Sequence, residues 1–169
     1  IEDFAPEWMW KLCDEFNGIM TLHIVRDAAI ADPQNIKSLR RLGEKYPKCR
    51  VVLAHVARSF TYRNARAGLP MIRSLDNIWV DTSAIMETEA MRAAIEILGP
   101  RRVLYGSDYP VTELRGRCVT MGGGFVWLYG DHIPPSFGIS KFGDFTTVGI
   151  ESLLCLREAC EDCGLRKSD

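Results

Sequence analysis

Histidine is scarce in this chain: His23, His55 and His132 are the only imidazoles among 169 residues. Net charge is scarcer still, since 21 basic and 22 acidic side chains leave a formal −1. Without a basic excess or stripe, the sequence lacks the electrostatic footprint of a nucleic-acid binder. There is no run of about 18 apolar residues, which argues against a helical membrane span. No GxGxxG follows the first strand-like run and no P-loop occurs, so a nucleotide-binding doubly wound fold has no support. The six cysteines, Cys13, Cys49, Cys118, Cys155, Cys160 and Cys163, show no regular framework spacing. A chain this rich in aliphatic residues does not need disulfide staples, so free thiols in a reducing cytoplasm are expected. Cys160-x-x-Cys163 has no second CxxC or nearby histidine to complete a zinc site, and no strand leads into it as a redox motif requires.

What is present is an ordinary globular composition, with 47% hydrophobic and 25% charged residues over a length that suits one domain. The chain starts at Ile1 rather than Met, and the expectation is that it is part of a longer protein. Helical spacing of Trp8, Leu12 and Phe16 predicts a helix over Glu7–Phe16 with those three on its buried face, ended by Asn17-Gly18. A strand over Met20–Val25 follows. Asp32-Pro33 then supplies a cap and a first-turn proline for a helix over Gln34–Tyr46. Strand Arg50–His55, a partly helical segment interrupted at Gly68-Leu69-Pro70, strand Ile78–Asp81, helix Thr88–Leu98 and strand Val103–Gly106 complete the series. Strands starting roughly 25–30 residues apart with helices between them have the length of βαβ units. Little alternation within the strands points to a parallel sheet buried on both faces.

The regularity ends after Asp108. A Gly- and aromatic-rich insertion at about 112–144 contains Gly122-Gly123-Gly124, Trp127, His132, Pro134-Pro135 and Phe137, and it reads as a functional lid or binding loop. A last helix from about Thr146 to Cys163 is expected to bury Leu153, Leu156 and Cys160, with Gly164 as its cap.

Chemistry concentrates at the strand ends. His23 and His55 come late in consecutive strands, and Asp108 follows the fourth strand, inside Leu104-Tyr105-Gly106-Ser107-Asp108-Tyr109-Pro110. In a βα barrel the carboxyl ends of the strands share one face, where two imidazoles and a carboxylate form a ligand set for a borderline divalent cation such as zinc. Such a cation makes its bound water a nucleophile near neutral pH, or polarises a substrate carboxylate so that a carbon–carbon bond can break. Asp81, also at a strand end, is a weaker candidate with a turn-forming role as its alternative. Arg26 and Arg58 each lie three residues after a histidine. They either grip a substrate carboxylate or pair structurally with Asp27 or Glu44. Tyr109 and Trp127 are candidates for a pocket wall, with core packing as their other role.

These motifs, with Leu22-His23 and Leu53-Ala54-His55-Val56-Ala57-Arg58, resemble the C-terminal half of an amidohydrolase-related protein. The branch resembled is that of aminocarboxymuconate-semialdehyde decarboxylase within the metal-dependent hydrolases, and the resemblance covers about residues 19–165. It implies a (β/α)8 TIM-barrel type fold, with 1–169 supplying four C-terminal βα units, strands five to eight. It implies His23 as a metal ligand, His55 as a ligand or proton shuttle, and Asp108 as a ligand or water-orienting base. The implied metal is zinc, with manganese possible, and the implied substrate is a small carboxylate-bearing or cyclic molecule. Hydrolysis is the first reading; nonoxidative decarboxylation on the same scaffold and a noncatalytic βα module are the alternatives. The family's first-strand His-x-His pair is absent. A missing N-terminal half barrel or a homo-oligomeric partner is therefore expected to complete the core.

Overall fold

The computed structural model describes residues 1–129 and 146–166. It opens with α1 (Glu7–Glu15), then β1 (Ile19–Leu22), α2 (Pro33–Lys45), β2 (Arg50–Leu53) and a five-residue helical turn, α3 (Ala54–Arg58). Next come α4 (Tyr62–Gly68), β3 (Ile78–Asp81), α5 (Thr88–Leu98) and the two-residue β4 (Val103–Leu104). A hairpin of β5 (Gly116–Met121) and β6 (Gly124–Tyr129) follows, and α6 (Val148–Asp162) is the final element.

β1 to β4 pair in parallel and in chain order. This corrects the expected fold class. The described residues hold six strands, and the parallel sheet consists of the chain's own first four rather than strands five to eight of a barrel. The fifth and sixth pair antiparallel with each other. The reason lies in the glycine run. Gly122, at φ +59°, adopts a left-handed conformation that lets the chain reverse between Met121 and Gly124. After β4 the chain therefore makes a local hairpin instead of another βα unit.

Register shows why the sheet has two unlike faces. Met20, Val51 and Ile78 align across the strands, as do Leu22, Leu53, Val80 and Val103, and these rows pack into the main core. The opposite row, Thr21, Val52 and Trp79, stays partly accessible. The expectation of strands buried on both faces therefore holds for one face only. β1 and β4 are the edges, and Ile19, Leu104 and Tyr105 beside them are exposed.

Local chemistry places the helices. Asp32 caps α2 by accepting from Gln34 N (2.9 Å) and Asn35 N (3.2 Å), with Pro33 in the first turn. α5 stops where Gly99 takes φ +88°, and its Met91, Ile95 and Leu98 are buried as their spacing implies. α1 forms where expected but buries a different face. Trp10 is fully buried, whereas Trp8, Leu12 and Phe16 are 65%, 49% and 76% exposed. Polar anchoring sets that rotation: Glu7 accepts hydrogen bonds from Arg41, Lys45 and Tyr46 on and just after α2, and Asp14 accepts from Lys48 N. α6 likewise buries Val148, Ser152, Cys155 and Ala159 and leaves Leu153 exposed, against expectation. All six cysteines are free, and burial raises the Cys160 and Cys163 thiols above their ordinary value, opposite to a redox pair. No helix among the described residues is long and apolar enough to cross a membrane.

Candidate active site at the carboxyl rim

The segments beyond the carboxyl ends of β1 to β4 carry unusual backbone. Among the described residues, every non-glycine with positive φ except Asn17 lies there: Arg26, Ala29, His55 to Arg58, Ala84 and Asp108. The strongest case is α3. His55, Val56 and Ala57 have φ of 59°, 48° and 54° with ψ near 50°, and Arg58 follows at φ 57°. This is one left-handed helical turn, closed by Ser59 N donating to His55 O at 2.8 Å. L-residues resist this winding by about 1–2 kcal/mol each. Burial of His55, Val56 and Ala57 and a carboxylate gripping the first residue of the turn offset it.

That carboxylate is Asp81, at the end of β3. Its Oδ1 accepts from His55 N (2.9 Å), Ser83 N (3.0 Å) and Ser83 Oγ. The His55 ring, 7% exposed, places Nδ1 2.8 Å from Ser83 O and 3.0 Å from Ser83 Oγ. The ring also meets His23: the two imidazole centroids are 5.1 Å apart at 77°. The sheet thus brings both strand-end histidines together, although 32 positions separate them in sequence.

His23 is solvent-exposed just past β1. Partial desolvation holds its imidazole below the ordinary histidine value, the charges of His55 and Arg58 add to that, and the Asp108 carboxylate opposes it. Asp108 therefore belongs to the same electrostatic neighbourhood, on the turn beyond β4 at φ +64°. Arg58 Nη1 donates to Arg26 O at 2.8 Å, tying the rim loops of β1 and β2, and its guanidinium lies over the Phe125 ring at 6.0 Å. Arg26 itself lies 3.7 Å from the helix-capping Asp32, not from Asp27 or Glu44. Aromatic contacts run from His55 to Phe60 (5.3 Å) and from Phe60 to Phe125 and Trp127 on the hairpin. A second small core of Ala84, Met86, Cys118 and Val148 seats that hairpin beside the rim. Trp127 packs against Phe60 and that second core, its packing alternative, whereas Tyr109 is 78% exposed and lines a surface cavity with Tyr105, Ser107 and Thr112. His132 and the rest of the insertion from 130 to 144 lie outside the described residues.

The donor set does not amount to a metal centre by itself. Among the described residues, no group of three or more His, Cys, Asp or Glu side chains is arranged to hold an ion. His23 and His55 come together; Asp108 acts on His23 through its charge without forming such a group with them.

A family model described as amidohydrolase matches residues 3–118. The chain belongs to the amidohydrolase family. The chain is similar to the L-fucono-1,5-lactonase of Burkholderia ambifaria, at 26% identity over 64% of this chain and 42% of the relative. A zinc-bound amidohydrolase structure from Burkholderia multivorans aligns with 99% of this chain and 53% of its own, at 12% identity and a TM-score of 0.58. Amidohydrolase 2 from Bifidobacterium longum subsp. infantis aligns over 64% of this chain and 42% of its own, at 17% identity and a TM-score of 0.50. At such identities the two structures speak to the fold. The chain spans about half or less of the length of these relatives.

These matches correct the resemblance read from the sequence. It does not start near residue 19 or stand for a C-terminal half alone, because the family model starts at residue 3 and the fold likeness takes in 99% of the chain. The histidine and Gly-Ser-Asp motifs begin at residue 22, so a reading built on them passed over α1. That helix is part of the fold, since Trp10 is buried in the main core.

Proposed function

We propose that residues 1–169 act as one domain of an amidohydrolase-type hydrolase whose substrate is a small cyclic or carboxylate-bearing molecule. The convergence of His23 and His55 at one rim, under the charge of Asp108 and Arg58, carries this reading. The lactonase relative favours a cyclic ester within that class. His55 is the proton-transferring group: with Nδ1 turned to the Ser83 oxygens, its Nε2 is left to face the rim. Arg26 and Arg58 supply positive charge at the mouth for a substrate carboxylate.

The implied metal is zinc, with manganese as the other choice; His23 and Asp108 would be this chain's ligands to it, His55 being kept for proton transfer. When bound, such an ion polarises a carbonyl and acidifies a water. The remaining donors come from outside the described residues, as does whatever covers the sheet edges at Ile19 and Leu104, either a further segment or a second subunit. Six free cysteines favour a reducing compartment, the cytoplasm. The incomplete ligand group favours one other reading, a noncatalytic βα module.

The test is metal analysis and lactone hydrolysis with the full-length protein. Near-stoichiometric zinc or manganese, lost in His23→Ala and Asp108→Ala, with turnover abolished in His55→Ala, supports the enzyme. A folded full-length protein that binds no metal and opens no lactone supports the module instead.

A further inference from the structure

We propose that Asp81 and Ser83 are positioning residues for His55, forming a carboxylate–hydroxyl relay that fixes which ring nitrogen carries the proton, and that residue 106 is glycine to make room for that relay. The proposal rests on the reading of His55 given above, and it concerns residues that neither the motifs nor the comparisons assign.

The Ser83 hydroxyl has one hydrogen, which it gives to Asp81 Oδ1. Toward His55 it can therefore only accept. Ser83 O, a carbonyl 2.8 Å from Nδ1, can only accept as well. Two acceptors facing one ring nitrogen require that nitrogen to bear hydrogen, so the neutral ring has its lone pair on Nε2. Asp81 holds the arrangement from both ends, since the same oxygen takes the backbone N–H of His55 and of Ser83. It secures the first residue of the left-handed turn and, two residues beyond itself, the serine that reads the ring.

Gly106 supplies an independent observation. A Cβ there would lie 3.1 Å from Asp81 Cγ, 3.1 Å from Ser83 Cβ and 3.2 Å from Asp81 Cβ. Those distances are tighter than ordinary contact, and the atoms pressed belong to the two relay residues. Its φ is not in the left-handed region, so close approach rather than backbone conformation calls for glycine here. The Gly106-Ser107-Asp108 motif is thereby coupled to Asp81-Thr82-Ser83 across neighbouring strands.

The experiment is nitrogen NMR of the full-length protein labelled in histidine, at a pH where the rings are neutral, because each ring nitrogen's shift reports whether it bears hydrogen. In the unsubstituted protein, His55 is expected at least about tenfold in favour of the Nδ1–H form, the ratio that one well-made neutral hydrogen bond sustains. A dominant Nε2–H form overturns the proposal without any variant being needed. In Asp81→Ala and in Gly106→Ala the preference is expected to fall to within about twofold, while Asp81→Asn, which keeps an acceptor oxygen, restores most of it. If Asp81→Ala does not fold, Gly106→Ala decides. An unchanged tautomer in a folded Asp81→Ala or Gly106→Ala refutes the positioning role. Failure of the hydrolase reading would show as absent metal and turnover while the tautomer stayed as expected, so the two failures are distinguishable.

Discussion

Replacing Ala57 by glycine should leave stability nearly unchanged, and this is an unusual expectation for a fully buried alanine. Removing its methyl group forfeits about 0.8 kcal/mol of burial. Greater freedom of glycine in the unfolded chain costs roughly 0.5–1 kcal/mol more. Against this, Ala57 sits at φ 54° and ψ 46°, where an L-side chain is strained by about 1–2 kcal/mol and glycine is not. The opposing contributions cancel to within about 0.8 kcal/mol. Ala65 is the control: it is equally buried but lies in the right-handed α4. There the helix propensity and methyl contributions share a sign, and Ala65→Gly should destabilise by about 2 kcal/mol. Urea unfolding followed by tryptophan fluorescence and circular dichroism compares the two, and a melting-temperature gap of about 4–8 °C is expected for a domain of this size. Equal losses in both variants would mean that α3 is not left-handed and would remove the reason given for the orientation of His55.

Further outcomes follow from other parts of the fold. Arg102 donates to three carbonyls, Ile78 O (2.8 Å), Arg73 O (2.8 Å) and Leu75 O (2.9 Å), binding the approach to β3 against β4. Arg102→Ala should destabilise by about 3 kcal/mol in urea unfolding and Arg102→Lys by nearly as much, since an ammonium lacks the planar fork; a loss under about 1 kcal/mol would count against this. Glu7 is held down to about 2 by hydrogen bonds from Lys45, Arg41 and Tyr46. A carboxylate depressed on folding stabilises above its unfolded value of 4.5, and that contribution fades as pH falls toward about 2. NMR titration of Glu7 should find the low midpoint, moving toward 4.5 in high salt because the cluster is exposed; a midpoint near 4.5 at low salt would show that α1 is not anchored this way. Burial pushes the Cys118 thiol up to about 12, so a thiol reagent at pH 8 should modify it only on unfolding; rapid labelling of the native protein would contradict the packing of the hairpin.

Much of the architecture was legible because it is decided locally. α5 and β3 fall on their expected residues, and α2 begins one residue early behind the Asp32 cap. Capping, breaker residues and hydrophobic periodicity act over a few positions, which is the range a sequence displays directly. The approximate positions of His23, His55 and Asp108 at strand ends were readable for the same reason, and a parallel sheet in chain order brings the two histidines together. β4 came out shorter than expected, two residues, as the chain leaves the ladder before Asp108 turns it at the rim with φ +64°.

What the sequence determined by itself was the succession of βα units and which rare polar residues end their strands, since these depend on neighbours along the chain. Only the tertiary structure decided that Trp10 rather than Trp8, Leu12 and Phe16 faces the core, because Glu7 is captured by side chains 34 to 39 positions away. The same holds for the left-handed winding of His55 to Arg58, which costs energy locally and persists through burial and through Asp81, 26 residues downstream. A strained turn leaves no trace in propensities, since propensity describes what a segment prefers alone and not what distant partners impose on it.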